Sequence, residues 1–496
     1  MSDSYKILFI KACHGPQGIE VPLGILYLSA YLKHHLSNKI KIDLIDLRLE
    51  KNWTRALGEK LKTCQPDLIG ISLLSGDRPF LDSWMTFLKN TSPGARIVIG
   101  GPLASYDYAE ILRHHRTVDF AVIGEGEVAF LNLVRVLMKN EKAVNLNSVA
   151  CLEDGQIVLA GKEKPIENLD GLPFPDYNLI DLDRYTNHGH TMNGVLSEKR
   201  HVHIISSRGC PYGCLYCHDI FGKKTRTRSP ENFLEEIRWL YYQQGVREFH
   251  IVDDIFNFDK QRLHDILHRI INSDMRIKIA FPNGIRADLL DETDILLLKQ
   301  AGCYMITFAV ETASPRMQKV IRKNLNVTKV VENIKFASRA GLITRSFFML
   351  GFPGETVEEI KATIDLAVKS PLDLVFFFTV VPFKNTGLAH LVDREYPRLN
   401  YQDGHYWGQI PFYQQATGYP LKQVQIMAYI KFYLPFRIFR TFLKLPHKGR
   451  IFACWVNMAV YITFTPWYEY LQSLGRRKPA ALPQGCSGLN ADRAKL

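Results

Sequence analysis

Short apolar runs alternate with amphipathic stretches through residues 1–145. Five of these runs predict buried strands, and they lie at residues 5–10, 41–44, 68–73, 95–99 and 120–123. Segments with helical spacing lie between them, for example at residues 23–35, 80–90 and 129–139. Strands that alternate with helices form a parallel sheet covered on both faces. This third of the chain therefore predicts a doubly wound, Rossmann-like α/β domain.

Small polar residues and glycines follow the predicted strand ends of this domain. They are Ser72, Ser75, Gly76, Gly100, Gly101, Gly124 and Gly126. Open α/β sheets bind ligands beyond the carboxyl ends of their strands, and glycine lets the backbone approach a ligand closely. No G-x-G-x-x-G motif follows the first strand, which disfavours a dinucleotide as the ligand.

A second strand-helix rhythm runs through residues 200–390. The six predicted strands lie at residues 203–206, 248–252, 278–282, 305–310, 344–350 and 374–380. Six such units predict a partial parallel (β/α)6 barrel, whose chemistry would lie at the carboxyl ends of the strands. The phenylalanine runs at 347–348 and 376–378 are interpreted as core.

Three cysteines follow the first barrel strand with the spacing C-x3-C-x2-C. They are Cys210, Cys214 and Cys217. Three thiolates can hold a four-iron cluster and leave one iron open. Clusters that only carry electrons usually have four cysteine ligands, so this loop predicts an exchangeable ligand on the remaining iron.

A zinc site or part of a disulfide framework is the alternative interpretation of these cysteines. A zinc site needs a fourth ligand, and the sequence has no second C-x2-C. The pair His264 and His268 lies far downstream, and we interpret it as part of a solvated helix face. The remaining cysteines are scattered at positions 13, 64, 151, 303, 454 and 486. Without a signal peptide, we expect a reducing, cytoplasmic location.

Length and charge limit the classes of function. The chain has 496 residues, of which 46% are hydrophobic, and this is enough for two or three domains. The net charge is +12, but residues 401–496 hold 12 Lys or Arg against 3 Asp or Glu, which gives 12 − 3 = +9 of that charge. The rest of the chain is nearly balanced, and this disfavours nucleic acid as a partner.

The last fifth of the chain is basic and aromatic, and residues 451–468 carry no charge. A membrane-spanning helix needs about 20 apolar residues, and Asn457, Thr463, Thr465 and Pro466 argue against a span. Two further interpretations are a helical subdomain packed on the barrel and peripheral contact of residues 421–468 with an anionic membrane. The predicted organisation is a domain at 1–145, a linker at 146–199, the barrel at 200–390, a helical region at 391–478 and a disordered tail at 479–496.

The cysteine spacing resembles that of the radical S-adenosylmethionine (SAM) enzymes. The resemblance implies that SAM binds the open iron and that an electron from the cluster cleaves it. Further matches fall at later strand ends, and they imply SAM contacts from Tyr216, Asp253, Asp254, Arg286, Glu311, Gly351 and Gly354. Taken alone, the two aspartates could equally cap the next helix, and Arg286 could be a surface arginine.

The loops of residues 5–135 resemble the cobalamin-binding domain that is fused to many radical SAM proteins. The resemblance implies that the serines and glycines named above contact cobalamin. Two features depart from the pattern. The D-x-H-x-x-G signature is missing from this domain and occurs only at residues 403–408, as an apparent chance match, and Leu103 stands where many relatives have histidine. A domain that keeps the fold without binding cobalamin is the alternative.

Together the resemblances imply a cobalamin-dependent radical SAM enzyme, similar to class B methyltransferases. Its expected cofactors are a [4Fe-4S] cluster, SAM and cobalamin. The expected reaction is C-methylation of a small-molecule or lipid substrate, with an electron donor such as flavodoxin or ferredoxin. Two alternatives remain open: radical cyclisation, ring contraction or carbon-carbon coupling without methyl transfer, and a non-catalytic iron-sulfur or cobalamin-binding sensor.

Overall fold

The described chain divides into two units, one within residues 1–188 and the other within residues 189–479. The structure is a computed structural model that describes residues 4–12, 18–187, 194–399, 411–433 and 437–446. The D-x-H-x-x-G match at 403–408, the uncharged run at 451–468 and the predicted tail lie outside the described residues.

A seven-stranded sheet forms the N-terminal unit. Its strands are β1 (Tyr5–Lys11), β2 (Ile40–Asp46), β3 (Leu68–Ser72), β4 (Arg96–Gly100), β5 (Phe120–Val122), β6 (Val149–Glu153) and β7 (Gln156–Val158). The helices are α1 (Leu23–Leu36), α2 (Trp53–Cys64), α3 (Leu81–Thr91), α4 (Gly101–His114), α5 (Gly126–Met138) and the short α6 (Leu182–Thr186). The strand order is β2-β1-β3-β4-β5-β6-β7, and the first five strands are parallel.

Separate hydrophobic cores lie on the two faces of this sheet. Helices α1 and α5 supply residues such as Leu32 and Phe130 to one core, and α2, α3 and α4 supply residues such as Leu61 and Trp84 to the other. The strand order reverses at β1, next to β3, and in doubly wound folds the crevice beside such a reversal binds ligands. The predicted α/β fold of this unit is confirmed.

The segment from 146 to 199 is more structured than the extended linker predicted for it. Strands β6 and β7 form a hairpin that extends the sheet in the antiparallel direction. The hairpin turns at Asp154 and Gly155, whose φ angles are 47° and 79°. Two consecutive positive φ angles are the geometry of a type I′ turn, for which Asp-Gly is a favoured sequence. Later in the segment, the Tyr185 hydroxyl donates to the Asp46 carboxylate at 3.1 Å, so this part also belongs to the N-terminal unit.

Six parallel strands form an open barrel in the second unit, in the order β15-β14-β13-β12-β11-β8. They are β8 (His201–Ile204), β11 (Glu248–Ile251), β12 (Lys278–Ala280), β13 (Cys303–Glu311), β14 (Ile343–Leu350) and β15 (Leu374–Thr379). A two-stranded ribbon, β9 (Ser207–Arg208) with β10 (Arg226–Thr227), joins the ends of the cysteine loop.

The helices of this unit cover the outside of the barrel and continue beyond it. They are α7 (Pro230–Gln243), α8 (Lys260–Ile271), α9 (Glu292–Gln300), α10 (Pro315–Val320), α11 (Val327–Arg339), α12 (Val357–Lys369), α13 (Gly387–Glu395), α14 (Phe412–Thr417), α15 (Leu421–Tyr433) and α16 (Arg437–Lys444). None of the helices in the described ranges is both long and apolar enough to cross a membrane.

Helices α15 and α16 lie along the open edge of β15. Every fourth residue donates to or accepts from main-chain atoms there, and we call this set the edge stripe: Gln425, Tyr429, Tyr433, Arg437 and Thr441. A strand edge whose N–H and C=O groups are buried needs such partners. Packing on the barrel, one of the interpretations of the basic region, therefore describes the side of α15 and α16 that carries the edge stripe.

Candidate functional site

The cysteine loop begins where the first barrel strand ends. Cys210 and Cys214 are half-buried and Cys217 is exposed. Two main-chain hydrogen bonds anchor the loop. Cys210 N donates to Gly222 O at 3.3 Å, and Leu215 N, between the second and third cysteines, donates to Ile321 O at 3.0 Å. The three thiols therefore lie on one short loop that the barrel fixes in place.

Positive charge surrounds the middle cysteine. A hydrogen bond from the Cys217 thiol, together with the nearby charges of Lys323 and Arg286, lowers the pKa of the Cys214 thiol. Thiolate is the form of cysteine that binds metal. Burial raises the pKa of the Cys210 thiol, and the hydrogen bond with Cys214 raises that of Cys217. The fit to an iron-sulfur cluster held by Cys210, Cys214 and Cys217 therefore rests on the donor set, which is three cysteines on one short loop.

Half-buried Tyr216 of this loop forms a triad with two buried residues, Glu311 and Lys323. The Lys323 ammonium donates to Glu311 Oε1 at 2.8 Å and to the Tyr216 hydroxyl oxygen at 3.1 Å. The Tyr216 hydroxyl in turn donates to Glu311 Oε1 at 3.2 Å. Burial and the neighbouring Glu311 charge raise the pKa of Tyr216. The triad thus combines the Lys323 ammonium, the Glu311 carboxylate and the protonated Tyr216 hydroxyl.

The backbone at the end of β13 is strained where it presents Glu311. Its φ angle is 69°, in the left-handed region that residues with a Cβ rarely adopt. The pairing with β14 shifts register between Ala309 and Glu311, which marks a bulge. Bulges near the ends of barrel strands re-aim side chains, and here the bulge accompanies the contact of Glu311 with Lys323.

Asp253 and Asp254 follow β11 but have different surroundings. Asp253 is buried, and its carboxylate accepts from Ser206 N at 2.7 Å, Ser206 Oγ at 2.5 Å and Ser207 Oγ at 2.6 Å. Burial raises the pKa of this carboxyl group. Asp254 is exposed and accepts from Gly209 N at 3.0 Å. The protein thus occupies both oxygens of Asp253, whereas Asp254 is the aspartate accessible to a ligand.

Arg286 lies against the cysteine loop. Its guanidinium is centred 3.7 Å from the Tyr212 ring, pairs with Asp288 at 3.0 Å and donates to Lys323 O at 3.0 Å. These contacts hold the planar group at the edge of the site rather than on the protein surface. A predicted contact with the SAM carboxylate would add to them.

The turn after β14 contains Gly351 and Gly354, with φ angles of 87° and 67°. A Cβ on Gly351 would lie 2.5 Å from Leu421, so α15 packs directly on this turn. Buried Glu355 accepts from Gly351 N at 2.7 Å and from Phe352 N at 3.0 Å. Burial raises the pKa of Glu355 to about 7.

The predicted cobalamin residues lie at the carboxyl edge of the N-terminal sheet. Ser72, Ser75 and Gly76 lie at the end of β3 and in the 3₁₀ helix that follows it. No atom lies within 4 Å of a Cβ built on Gly100 or Gly124, so the space beside their backbone is open. Gly101 differs, because a Cβ there would lie 2.7 Å from Leu73 O, and Gly126 packs against Leu28. The open backbone at Gly100 and Gly124 fits a large ligand in the crevice.

Sequence patterns did not indicate Lys323 or the serine partners of Asp253. Lys323 lies in a loop after α10, outside any apolar period, and only the fold brings it to Glu311. Ser206 and Ser207 form a detectable signal in hindsight, since a serine pair directly follows the first barrel strand. The phenylalanine runs were only partly core: Phe348 and Phe377 are 0% exposed, whereas Phe347, Phe376 and Phe378 are partly exposed.

Two family models match this chain, one in each unit. Residues 204–367 match the family model of the Radical SAM superfamily, and residues 13–134 match that of the B12 binding domain. An uncharacterized methyltransferase of Pyrococcus horikoshii is 28% identical over 417 residues, which are 83% of this chain and 88% of the relative. The anaerobic magnesium-protoporphyrin IX monomethyl ester cyclase of Rubrivivax gelatinosus is 25% identical over 73% of this chain and 65% of its own.

Two solved structures share the fold at low sequence identity. The cobalamin-dependent SAM radical enzyme OxsB, solved with aqua-cobalamin and SAM bound, has a TM-score of 0.70 at 16% identity and covers 95% of this chain and 72% of its own. The radical SAM methyltransferase TsrM from Kitasatospora setae has a TM-score of 0.62 at 18% identity and covers 75% of this chain and 73% of its own.

Proposed function

The chain belongs to the radical SAM enzymes that carry a cobalamin-binding domain, and on this premise we propose that it methylates an unactivated carbon of a small-molecule or lipid substrate. Its cofactors are a [4Fe-4S] cluster, SAM and cobalamin. When bound, they supply a carbon-centred radical that removes a hydrogen atom from the substrate, and a methyl group for the resulting carbon radical.

The observation that carries the proposal is the cysteine loop beside the triad of Tyr216, Glu311 and Lys323. In a site that excludes bulk water, a charged cofactor needs fixed partners of both signs, because water no longer screens it. Glu311 offers a carboxylate to the ribose or amino end of SAM, and Lys323 balances that charge. We assign Cys210, Cys214 and Cys217 to the cluster.

The remaining contacts are assigned from their positions at the strand ends. We propose that Tyr216, Gly351 and Gly354 contact the adenosine part of SAM, and that Asp254 and Arg286 meet its amino and carboxylate groups. Asp253 would fix Ser206 and Ser207 through its hydrogen bonds. Through these two serines it would position the start of the cysteine loop. For cobalamin we propose the crevice lined by Ser72, Ser75, Gly76, Gly100, Gly101, Gly124 and Gly126.

Anaerobic reconstitution tests the proposal. The cluster-loaded protein, given SAM and dithionite, is expected to release 5′-deoxyadenosine, and Cys214→Ala is expected to abolish the release and to lower bound iron. Cys64→Ala, which changes a half-buried cysteine in the other unit, is the matched control. A fully loaded wild type that releases no deoxyadenosine would contradict the enzymatic proposal and favour a sensor.

Product analysis decides between methylation and the other radical reactions. With SAM labelled on its methyl group, a methyltransferase passes the label to its product. That product is identified by its presence in extracts of the producing cells and its absence after deletion of the gene. Substrate consumption without transfer of label would instead support cyclisation or another rearrangement. The cyclase named above makes that alternative worth testing.

We also propose that helices α15 and α16 meet a membrane surface. Met427 is 60% exposed, and Ile430 and Leu443 are also exposed apolar residues on these helices. Apolar side chains beside lysines suit an anionic interface. Met427→Gln/Ile430→Gln is expected to reduce binding to vesicles that contain phosphatidylglycerol, with Leu296→Gln on the exposed face of α9 as control. Equal binding of both variants would exclude this surface.

A further inference from the structure

The partly exposed residues of the six barrel strands are almost all apolar and clustered. They are Lys278, Ala309, Phe347, Met349, Phe376 and Phe378. Lys278 begins β12 and so lies at the amino end of the barrel. Ala309, Phe347, Met349 and Phe378 lie in the carboxyl halves of β13, β14 and β15, toward the end of the barrel that carries the cysteine loop, and Phe376 is the third of the six residues of β15.

These five residues share one face of the sheet. Phe347 pairs with Ala309 on β13 and with Phe376 on β15, and Met349 pairs with Phe378. Side chains alternate between the faces of a strand, so Phe348 and Phe377 point to the opposite face, where they are fully buried. The exposed set therefore lines the inner face, and we call Phe347, Phe376 and Phe378 the aromatic wall.

The three rings of the aromatic wall contact one another in a fixed arrangement. Phe376 and Phe378 are stacked, with centroids 5.7 Å apart and planes inclined by 8°. Phe347 meets both edge-on, at centroid distances of 5.9 Å and 5.7 Å. Two stacked rings that a third ring holds edge-on form a preorganised aromatic surface for another flat group.

A buried arginine supports the wall from within the sheet. The Arg345 guanidinium is centred 5.3 Å from the Phe347 ring and 5.8 Å from the Phe376 ring. It donates to Thr307 Oγ1 at 3.0 Å and to Pro282 O at 3.2 Å, and the residue is 1% exposed. The buried guanidinium therefore supports the Phe347 and Phe376 rings and is itself shielded from solvent.

The wall adjoins the candidate SAM site. Ala309, which pairs with Phe347, precedes Glu311 by two residues on β13. A group that rests on the wall would thus lie next to the end of β13, where the radical is expected to form. Large exposed apolar surfaces on a folded protein commonly mark binding sites.

We infer that the aromatic wall binds a planar, conjugated part of the substrate, and that Phe347, Phe376 and Phe378 determine this specificity. The inference rests on the proposed function, since only that function makes the bound molecule the substrate. It disfavours a substrate whose reacting portion is a sugar phosphate or another strongly hydrated group, because the three rings of the wall offer no polar partner for it.

A matched pair of uncharged ligands tests the inference by isothermal titration calorimetry on the cluster- and cobalamin-loaded enzyme. The probes are 1-naphthalenemethanol and its saturated counterpart, decahydronaphthalene-1-methanol. Ring stacking is expected to make the planar probe bind about two- to tenfold more tightly. Phe376→Leu and Phe347→Leu, which keep an apolar side chain, are expected to remove this difference. Leu296→Ala, at an exposed apolar position on α9, is expected to keep it.

Equal affinity of the wild type for the two probes, or no binding of either, would overturn the inference. So would a planar preference that survives in both leucine variants. Bound iron and the melting temperature of each variant report whether it has folded. If the enzyme releases deoxyadenosine but shows no preference for the planar probe, only the inference about the aromatic wall is contradicted. If it prefers the planar probe but never cleaves SAM, the proposed function is contradicted instead.

Discussion

The Lys323 ammonium lies 2.8 Å from the Glu311 carboxylate, and both side chains are almost completely buried beside the cysteine loop. Neither residue is adjacent to the other in the chain, and each comes from the end of a different barrel element. A buried charge is tolerated only with a partner, because removal from water is costly. Each of the two charges is therefore tolerated in the mouth of the barrel only while the other is present.

Substitution of Lys323 by methionine is expected to destabilise the protein by about 3–5 kcal/mol, because Glu311 would keep a buried charge without its partner. The double variant Lys323→Met/Glu311→Gln is expected to recover part of this loss, since no lone charge remains. Urea unfolding of the anaerobically purified protein measures both effects. Lys319→Met, at an exposed position on α10, is the control, and equal stability of the two single variants would show that the pair is dispensable.

Glu355 predicts a pH dependence of stability with a definite sign. Burial raises its pKa from 4.5 to about 7 in the folded protein, so between these values the folded chain binds a proton that the unfolded chain has lost. Stability that depends on this group is therefore greatest below pH 4.5 and falls as the pH rises to 7, by up to about 3 kcal/mol.

The variant Glu355→Gln is expected to remove that slope, because the amide does not titrate. Unfolding free energies measured at several pH values between 4.5 and 8 give the comparison, and the difference between variant and wild type isolates this group from Arg316 and Glu359 nearby. Glu358→Gln changes an exposed carboxyl group in the first turn of α12, which begins two residues after Glu355, and serves as control. Parallel curves for wild type and Glu355→Gln would refute the assignment.

The parts of this fold that local pattern determines were predictable from sequence. Buried parallel strands read as apolar runs, so β3 and β14 were found within a residue or two of their ends. The hairpin of β6 and β7 was missed, although its Asp154-Gly155 turn is a recognised local signal. The alternation along β14 also assigns Phe347 and Phe348 to opposite faces of the strand, but it does not show which face is buried.

Tertiary proximity accounts for what the sequence left out. Whether the face that carries Phe347 borders a packed core or an open lumen depends on which strands are neighbours, and no local period encodes that. The same holds for Lys323, which meets Glu311 only after the loop behind α10 folds back. The residues of the edge stripe on α15 and α16 likewise look like scattered polar positions in the sequence until the open edge of β15 is known.

Gly100 and Gly94 form a matched pair for the cobalamin crevice. Both have room for a side chain, since no atom lies within 4 Å of the added Cβ, and Gly100 has an extended backbone with φ of −147° that valine adopts readily. Gly100→Val is therefore expected to fold normally yet to weaken cobalamin binding about tenfold or more, because its side chain fills the crevice.

Absorbance of the cobalamin retained after gel filtration, at graded cobalamin concentrations, measures this effect. Gly94→Val, in the exposed turn before β4, is expected to bind as the wild type does. Retention of full affinity by Gly100→Val would mean that cobalamin binds elsewhere or that the domain keeps the fold without the ligand.

The edge stripe makes the last prediction. The Val375 amide donates to the Tyr433 hydroxyl oxygen at 3.1 Å, and the same hydroxyl donates to Val375 O at 3.2 Å. Tyr433→Phe leaves both main-chain groups buried without that partner, so we expect a loss of about 1–3 kcal/mol in unfolding free energy and faster hydrogen exchange at the Val375 amide. Tyr242→Phe, whose hydroxyl bonds Asp274 on the surface, is expected to change stability by less than about 0.5 kcal/mol. Equal stability of the two variants, with unchanged exchange at Val375, would show that β15 holds its edge without α15.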